Sequence, residues 1–309
     1  MRIELSALFG MDYSENMVSD THVGDGVFLQ EFITNGTRDQ LFEQVKEKDD
    51  DNYRNLLYRE ELEVSGRPYT HRFYVSLDGL PSQHSDELQH ARQSIMRAIV
   101  LSRIVKPLPI PLHPTTVLTI DGDSQAEINI GFYSTAYVVR RLINESITEA
   151  DATLMSSFWA ASQHLYDNRK HYKRLHRALM AFNDAYHILP SHISHVVLHA
   201  ALETLICTSS TNNKKQFVHR LPQLIDEISQ DQATEIYRFC ADVKHEAAPG
   251  LLYSTSVAEL DPRDQKRYEA AAWLEGALRT LFIKALEDRS FAEEMEDKKL
   301  LGTKYPVPK

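Results

Sequence analysis

Cysteine is nearly absent: Cys207 and Cys240 are the only two in 309 residues, far apart and in no metal-ligand spacing. That excludes a disulfide scaffold and a cysteine-held zinc module, and it suits a reducing compartment. No apolar run approaches the 18 residues of a membrane helix, and the opening stretch, MRIELSALFGMDYSEN, takes on acids too early for a secretory signal. The expected location is cytoplasmic, with no membrane partner. Positive charge is also scarce, with 34 Lys and Arg against 44 Asp and Glu and a net charge of −10. Such a chain does not coat nucleic acid through its overall field, although a local basic site stays open. A glycine-rich phosphate loop, a GxSxG elbow and a CxxC pair are missing too, so kinase, hydrolase and zinc-finger chemistry find no support.

What is present is an ordinary globular composition, 42% apolar and 25% charged, with length enough for one large or two ordinary domains. The chain changes character near residues 144–150. Up to that point it is mixed and β-leaning. Val27 to Ile33 reads as a strand and Thr37 to Lys48 as an amphipathic helix. Tyr58 to Val64 and Thr70 to Leu77 flank Ser65-Gly66-Arg67-Pro68 as a hairpin, and Val117 to Ile120 and Glu127 to Ile130 bracket Asp121-Gly122-Asp123-Ser124 as a second. A helix runs from Ser85 to about Val105, ended by Pro107, Pro109, Pro111 and Pro114. No catalytic constellation stands out in this half, and Asp49-Asp50-Asp51 reads as a solvated acidic run. Recognition or regulation is its expected role.

The rest of the chain is helical. The pattern predicts helices over 148–166, 169–186, 191–207, 214–229, 232–248 and 263–287, joined by short connections that favour an antiparallel bundle. Thr148 and Asp151 form a weakened capping box, and Asp261-Pro262 opens the last helix. The expected class is α+β: a mixed α/β domain over 1–147, an all-α bundle over 148–290, and a charged, mobile tail over 291–309.

Three features of this half bear on chemistry. Residues 169–177 carry Arg169, Lys170, Lys173, Arg174 and Arg177 with no acid between them, either a solvated face or a phosphate-binding stripe for RNA. His192, His195, His199 and Glu203 draw one stripe along an otherwise apolar helix, where His and Glu four apart could share a metal; the plainer expectation is a less buried side, and no metal. Glu203 sits among Ala200, Ala201, Leu205 and Ile206 and needs a partner, for which Arg238 is a candidate. Finally, Arg238 and His245 lie seven residues apart in EIYRFCADVKHEAAPG, almost two helical turns, so both leave one face. A guanidinium can fork onto a phosphate, and an imidazole can move a proton near neutral pH.

Several of these stretches resemble the HEPN superfamily, most closely the bacterial Apea-like HEPN proteins. RALMAFNDAY (177–186), VVLHAALETLI (196–206) and YRFCADVKHEA (237–247) are similar to its helices, in order along one chain. AIVLSRIVKPLPIPL and the STAYVV of 134–139 look like the segment that precedes them, so the resemblance spans roughly residues 95–287. It implies a HEPN-type helical bundle, commonly a homodimer, and a metal-independent endoribonuclease without cofactor that acts in antiphage defence, answering to a phage-derived trigger or a regulatory protein. Carried onto this chain, it makes His245 the general acid or base at a ribose 2′-hydroxyl, Arg238 the phosphate ligand and Glu203 the group that orients Arg238. Arg169, Lys170, Lys173, Arg174, Arg177 and Lys244 would then contact RNA. The commonest signature places its Arg five positions before the His, where this chain has Cys240. Two alternatives therefore stand: a longer-spaced Arg238/His245 catalytic pair, or a non-catalytic module that dimerises and binds RNA or protein.

Overall fold

The computed structural model describes residues 3–9, 20–31, 71–78, 85–107, 115–120, 123–125, 146–185, 191–246 and 262–308; within these, the side chains at 3, 8–9, 115–120, 123–125, 191–194, 241–246 and 262–271 are outside the description. The predicted helix over 37–48, the strand over 58–64, the 65–68 turn, Asp49–Asp51 and the strand over 127–130 all fall outside the described residues. The described residues up to Trp159 form one compact unit and those from Ala160 a second. The class is mixed α+β, with an antiparallel sheet in the N-terminal part and helices after it.

The sheet has six strands in the order β2-β3-β4-β1-β5-β6. They are β1 (Ile3–Phe9), β2 (Thr21–Gly24), β3 (Val27–Glu31), β4 (His71–Leu77), β5 (Thr115–Ile120) and β6 (Asp123–Gln125). The central strand, β1, pairs antiparallel with both β4 and β5. Period-two alternation sets the registers: Leu5 lies opposite Val75 and Ala7 opposite Phe73, while Val27 and Leu29 meet the same two residues from β3. All six are buried on one face. On the other face Arg72 donates to Glu4 Oε2 (3.0 Å), Ser6 Oγ (3.1 Å) and Gln30 Oε1 (2.7 Å), which satisfies polar groups the sheet would otherwise bury unpaired.

Helix α1 (Asp86–Val105) lies against strands β1 to β4, and its buried stripe Leu88, Ala91, Ile95, Ala98 and Ile99 follows the helical period. Ser85 caps its start by accepting from Leu88 N. At the end of the sheet, Ile120 pairs with Asp123, so the second hairpin returns two residues after β5 and β6 occupies 123–125. The sequence pattern places Asp123 and Ser124 in the turn, whereas both lie in β6 and pair with Ile120 and Thr119.

The helices that follow are α2 (Glu149–Asp167), α3 (Lys173–Asp184), α4 (Ser191–Ile206), α5 (Asn213–Leu224), α6 (Gln230–Glu246), α7 (Pro262–Glu287), α8 (Arg289–Glu296) and α9 (Lys298–Lys304). The expected capping box starts α2: Asp151 N donates to Thr148 Oγ1 and Thr148 N to Asp151 Oδ2. A second box starts α6, where Gln232 N donates to Ser229 Oγ and Ser229 N to Gln232 Oε1. It explains why α5 stops at Leu224, with Pro222 in its last turn, short of the predicted 229. Helix α4 is the hub of the second unit, in contact with α3, α5, α6, α7 and α8.

Residues 289–304 correct an expectation. They are two capped helices, not a mobile tail, with Phe291, Ala292, Met295 and Leu301 buried. The charges that suggested a tail line the outside of short amphipathic helices, and Asp288 and Asp297 serve as N-caps.

Candidate functional site

Helices α4 and α6 bring most of the predicted site residues together. Two residues of the α4 stripe, His195 and His199, face inward. His195 and His199 are each about 1% exposed, which overturns the expectation that this stripe marks the less buried side of the helix. His195 Nε2 lies 2.9 Å from Cys240 Sγ of α6, and Cys240 is fully buried. The His199 ring packs against Phe217 of α5 (centroids 5.2 Å apart) and Tyr237 of α6 (5.1 Å), and Phe217 and Tyr237 are 5.4 Å apart. Tyr237 meets both other rings edge-on, while His199 and Phe217 lie tilted to each other, so the three rings form one aromatic cluster. Glu203 Oε2 stands 3.9 Å from His199 Nδ1. Burial, then Glu203 and Cys207, push the Tyr237 hydroxyl up to about 12, and that hydroxyl also hydrogen-bonds Glu203. Tyr237 and His199 thus lie beside the Glu203 carboxylate, where the sequence offers Arg238.

Arg238 points elsewhere. It is exposed, with its guanidinium 5.8 Å from the ring of its neighbour Phe239, and among the described residues no ion pair joins it to Glu203. One position along α6 turns the side chain by ~100°, which separates Tyr237 on the core side from Arg238 on the solvent side. The backbone of α6 is helical without a break from Gln230 to Glu246, so positions 238 and 245 fall on one face to within ~20°. The side chains of Lys244, His245 and His192 are outside the described residues. Among the described residues no group of three or more His, Cys, Asp or Glu is placed to hold a metal ion.

The basic stretch divides. Residues 168–172 are a turn and α3 begins only at Lys173, so the stretch is not one helical stripe. Arg169, Lys170, Lys173 and Arg177 are exposed, whereas Arg174 is buried, a correction to its expected place among the RNA contacts. Its guanidinium donates to Thr204 O (3.0 Å), Leu205 O (2.7 Å), Cys207 O (3.0 Å) and Met295 O (2.6 Å). Arg220 of α5 completes the cap, donating to Ile206 O (2.9 Å) and Tyr305 O (3.0 Å). The last carbonyls of α4, left without intrahelical partners and carrying the negative end of the helix dipole, are thus closed by two buried cations. Burial lowers the pKa of both arginines, and the desolvated Cys207 thiol beside them is pushed up to about 12, so it is not a nucleophile.

Sequence reasoning did not single out Tyr237, Phe217 or Arg220. A weak signal existed for Tyr237, which stands four residues after Ala233 and three before Cys240, on the buried side of α6. For Arg220 there was none, because its acceptors are backbone carbonyls. Among the described residues, no helix is long and apolar enough to cross a membrane. No family model, no curated protein and no solved structure matches this chain.

Proposed function

We propose that the helical part of this chain is a HEPN-type, metal-independent endoribonuclease in which Arg238 and His245 of α6 act on the scissile phosphodiester. In the proposed reaction His245 takes the proton of a ribose 2′-hydroxyl and that oxygen attacks the adjacent phosphorus. The bond to the 5′-oxygen breaks, the departing oxygen takes up a proton, and a 2′,3′-cyclic phosphate remains. Arg238 binds the phosphate and stabilises the charge that develops on it. The 2′-hydroxyl requirement restricts the substrate to RNA. A homodimer through the bundle, a phage-derived trigger or regulatory protein, and a role in antiphage defence belong to the same proposal, with the N-terminal half as recognition or regulatory domain.

One observation carries the choice of residues. Position 240, where the commoner signature has its arginine, is fully buried against His195, while Arg238 is exposed on an unbroken helix whose face it shares with position 245. Incubation of the purified protein with mixed cellular RNA in EDTA, beside His245→Ala and Arg238→Ala, is the test. Cleavage by the unsubstituted chain alone, leaving 2′,3′-cyclic ends, is the expected result.

A second reading has its own observation. Glu203, expected to orient Arg238, hydrogen-bonds Tyr237 and lies near His199 instead, which favours a non-catalytic HEPN-type module that binds RNA or protein. On that reading His245→Ala leaves function intact, whereas charge reversal at Lys170 and Lys173 removes it.

A further inference from the structure

The connection between α2 and α3 carries a surface that the arginine–histidine pair does not use. Its turn is held firmly from within: Arg169 N donates to Tyr166 O (3.2 Å), and His171 N and Tyr172 N donate to Asn168 O (2.8 and 3.0 Å). It is also anchored to α8. Tyr172 is buried and its hydroxyl donates to Glu293 Oε1 at 2.6 Å, while His171 Nε2 stands 2.6 Å from Glu293 Oε2. These bonds, that of Tyr172 first, hold the Glu293 carboxyl below its ordinary range, and they keep that negative charge engaged with the turn.

The turn and the start of α3 carry the exposed Arg169, Lys170, Lys173 and Arg177, and Tyr166 at the end of α2 is exposed as well. Tyr166 is 47% exposed. The Arg169 guanidinium is 5.3 Å from its ring centroid, and the His176 ring meets it edge-on at 6.3 Å. Burial, and then Arg169, lower the pKa of His176, so it is a neutral ring at neutral pH and extends the aromatic surface. Cations alone describe a soluble helix face. A half-exposed aromatic ring with Arg169 beside it, in a short segment that carries three more exposed cations, offers what an unstacked base needs, a π-surface with phosphate ligands close in the chain. A duplex keeps its bases stacked inside and leaves such a ring without a partner, and an acidic peptide would satisfy the cations but not the ring.

Resting on the RNA reading above, we infer that the α2–α3 connection is a docking platform for single-stranded RNA. Tyr166 stacks a base, and Arg169, Lys170, Lys173 and Arg177 hold the flanking phosphates. Arg174 takes no part, being closed over the end of α4.

The test is fluorescence anisotropy of a labelled oligouridine with the full chain carrying His245→Ala, which keeps the probe intact, over a salt series. Four engaged cations give a slope of log affinity against log salt of roughly −3, at ~0.7 per phosphate contact. Lys170→Glu and Arg177→Glu weaken binding and flatten that slope. Tyr166→Ala weakens binding roughly 5- to 100-fold with the slope unchanged, and Tyr166→Phe restores it. Equal binding by Tyr166→Ala overturns the platform, as does equal binding of a blunt RNA duplex, or capture of polyglutamate in place of RNA. With His245 intact, Tyr166-dependent binding without cleavage would sink the nuclease and keep the platform. Cleavage indifferent to Tyr166 would do the reverse.

Discussion

Replacing Arg174 by Met removes the guanidinium and keeps most of the stem. Four carbonyl oxygens then lose their donor, three of them from residues 204–207 at the end of the hub helix α4 and one from Met295 of α8. A buried acceptor stripped of its partner costs ~1 kcal/mol or more, so the four together amount to ~4 kcal/mol. Relief of the desolvated charge returns part of this, which leaves a net loss on the order of 3 kcal/mol. For a unit of this size that is a fall in Tm of about 6–12 °C. Arg177→Met, exposed and one turn along the same helix, should stay within ~0.5 kcal/mol of the unsubstituted chain. Urea denaturation followed by far-ultraviolet circular dichroism compares the two. Because Arg220 closes the same helix end, Arg174→Met with Arg220→Met should depart from the sum of the singles. The reasoning is refuted if Arg174→Met is as stable as the parent and loses only RNA affinity, since Arg174 would then be a ligand-binding cation and not a helix cap.

Three further outcomes can be checked. Cys240→Arg, which rebuilds the commoner signature spacing, should destabilise the helical unit by several kcal/mol, because position 240 is fully buried beside His195; a well-folded, more active variant would put the catalytic arginine there. Gly24→Ala should cost about 2–3 kcal/mol, because a Cβ would enter the Trp159 ring at Cγ and Cδ2, and a melting temperature equal to the parent's would contradict that packing. Burial lowers His71 to about 3 from an ordinary 6.5, so the folded state holds it neutral while the unfolded chain protonates it. Its contribution is fully present above pH 6.5 and is lost as pH falls from 6.5 toward 3, at up to ~1.4 kcal/mol per pH unit, less what the nearby Glu31 carboxylate returns. Denaturation midpoints from pH 7 to 4 should therefore fall less steeply in His71→Gln, and parallel profiles would rule the residue out.

Local signals were legible wherever the chemistry that ends or starts an element lies within a few residues. The Thr148–Asp151 box, the helix over residues 86–105 and the positions of α4, α6 and α7 followed from caps, prolines and apolar period. Strand β1 was not anticipated, although it is central to the sheet, because its pairing with β4 and β5 joins residues more than 60 positions apart, as in Phe9 with His71. The order of helices and the shared face of positions 238 and 245 were written in the sequence, since both depend only on helical period. Which of the cations faces water was not. Arg174 and Arg177 differ by one turn and are chemically alike in sequence, yet the first meets the open carbonyl end of α4 and the second meets solvent. The same holds for the acids: the sequence offers Arg238 as a candidate partner for Glu203, but in the fold Tyr237 and His199 lie near that carboxylate and Arg238 is exposed. Sequence determines what a side chain can do, through its charge, donors and helical phase. Only tertiary packing decides which groups arrive within hydrogen-bond distance, because that depends on contacts whose residues are dozens of positions apart.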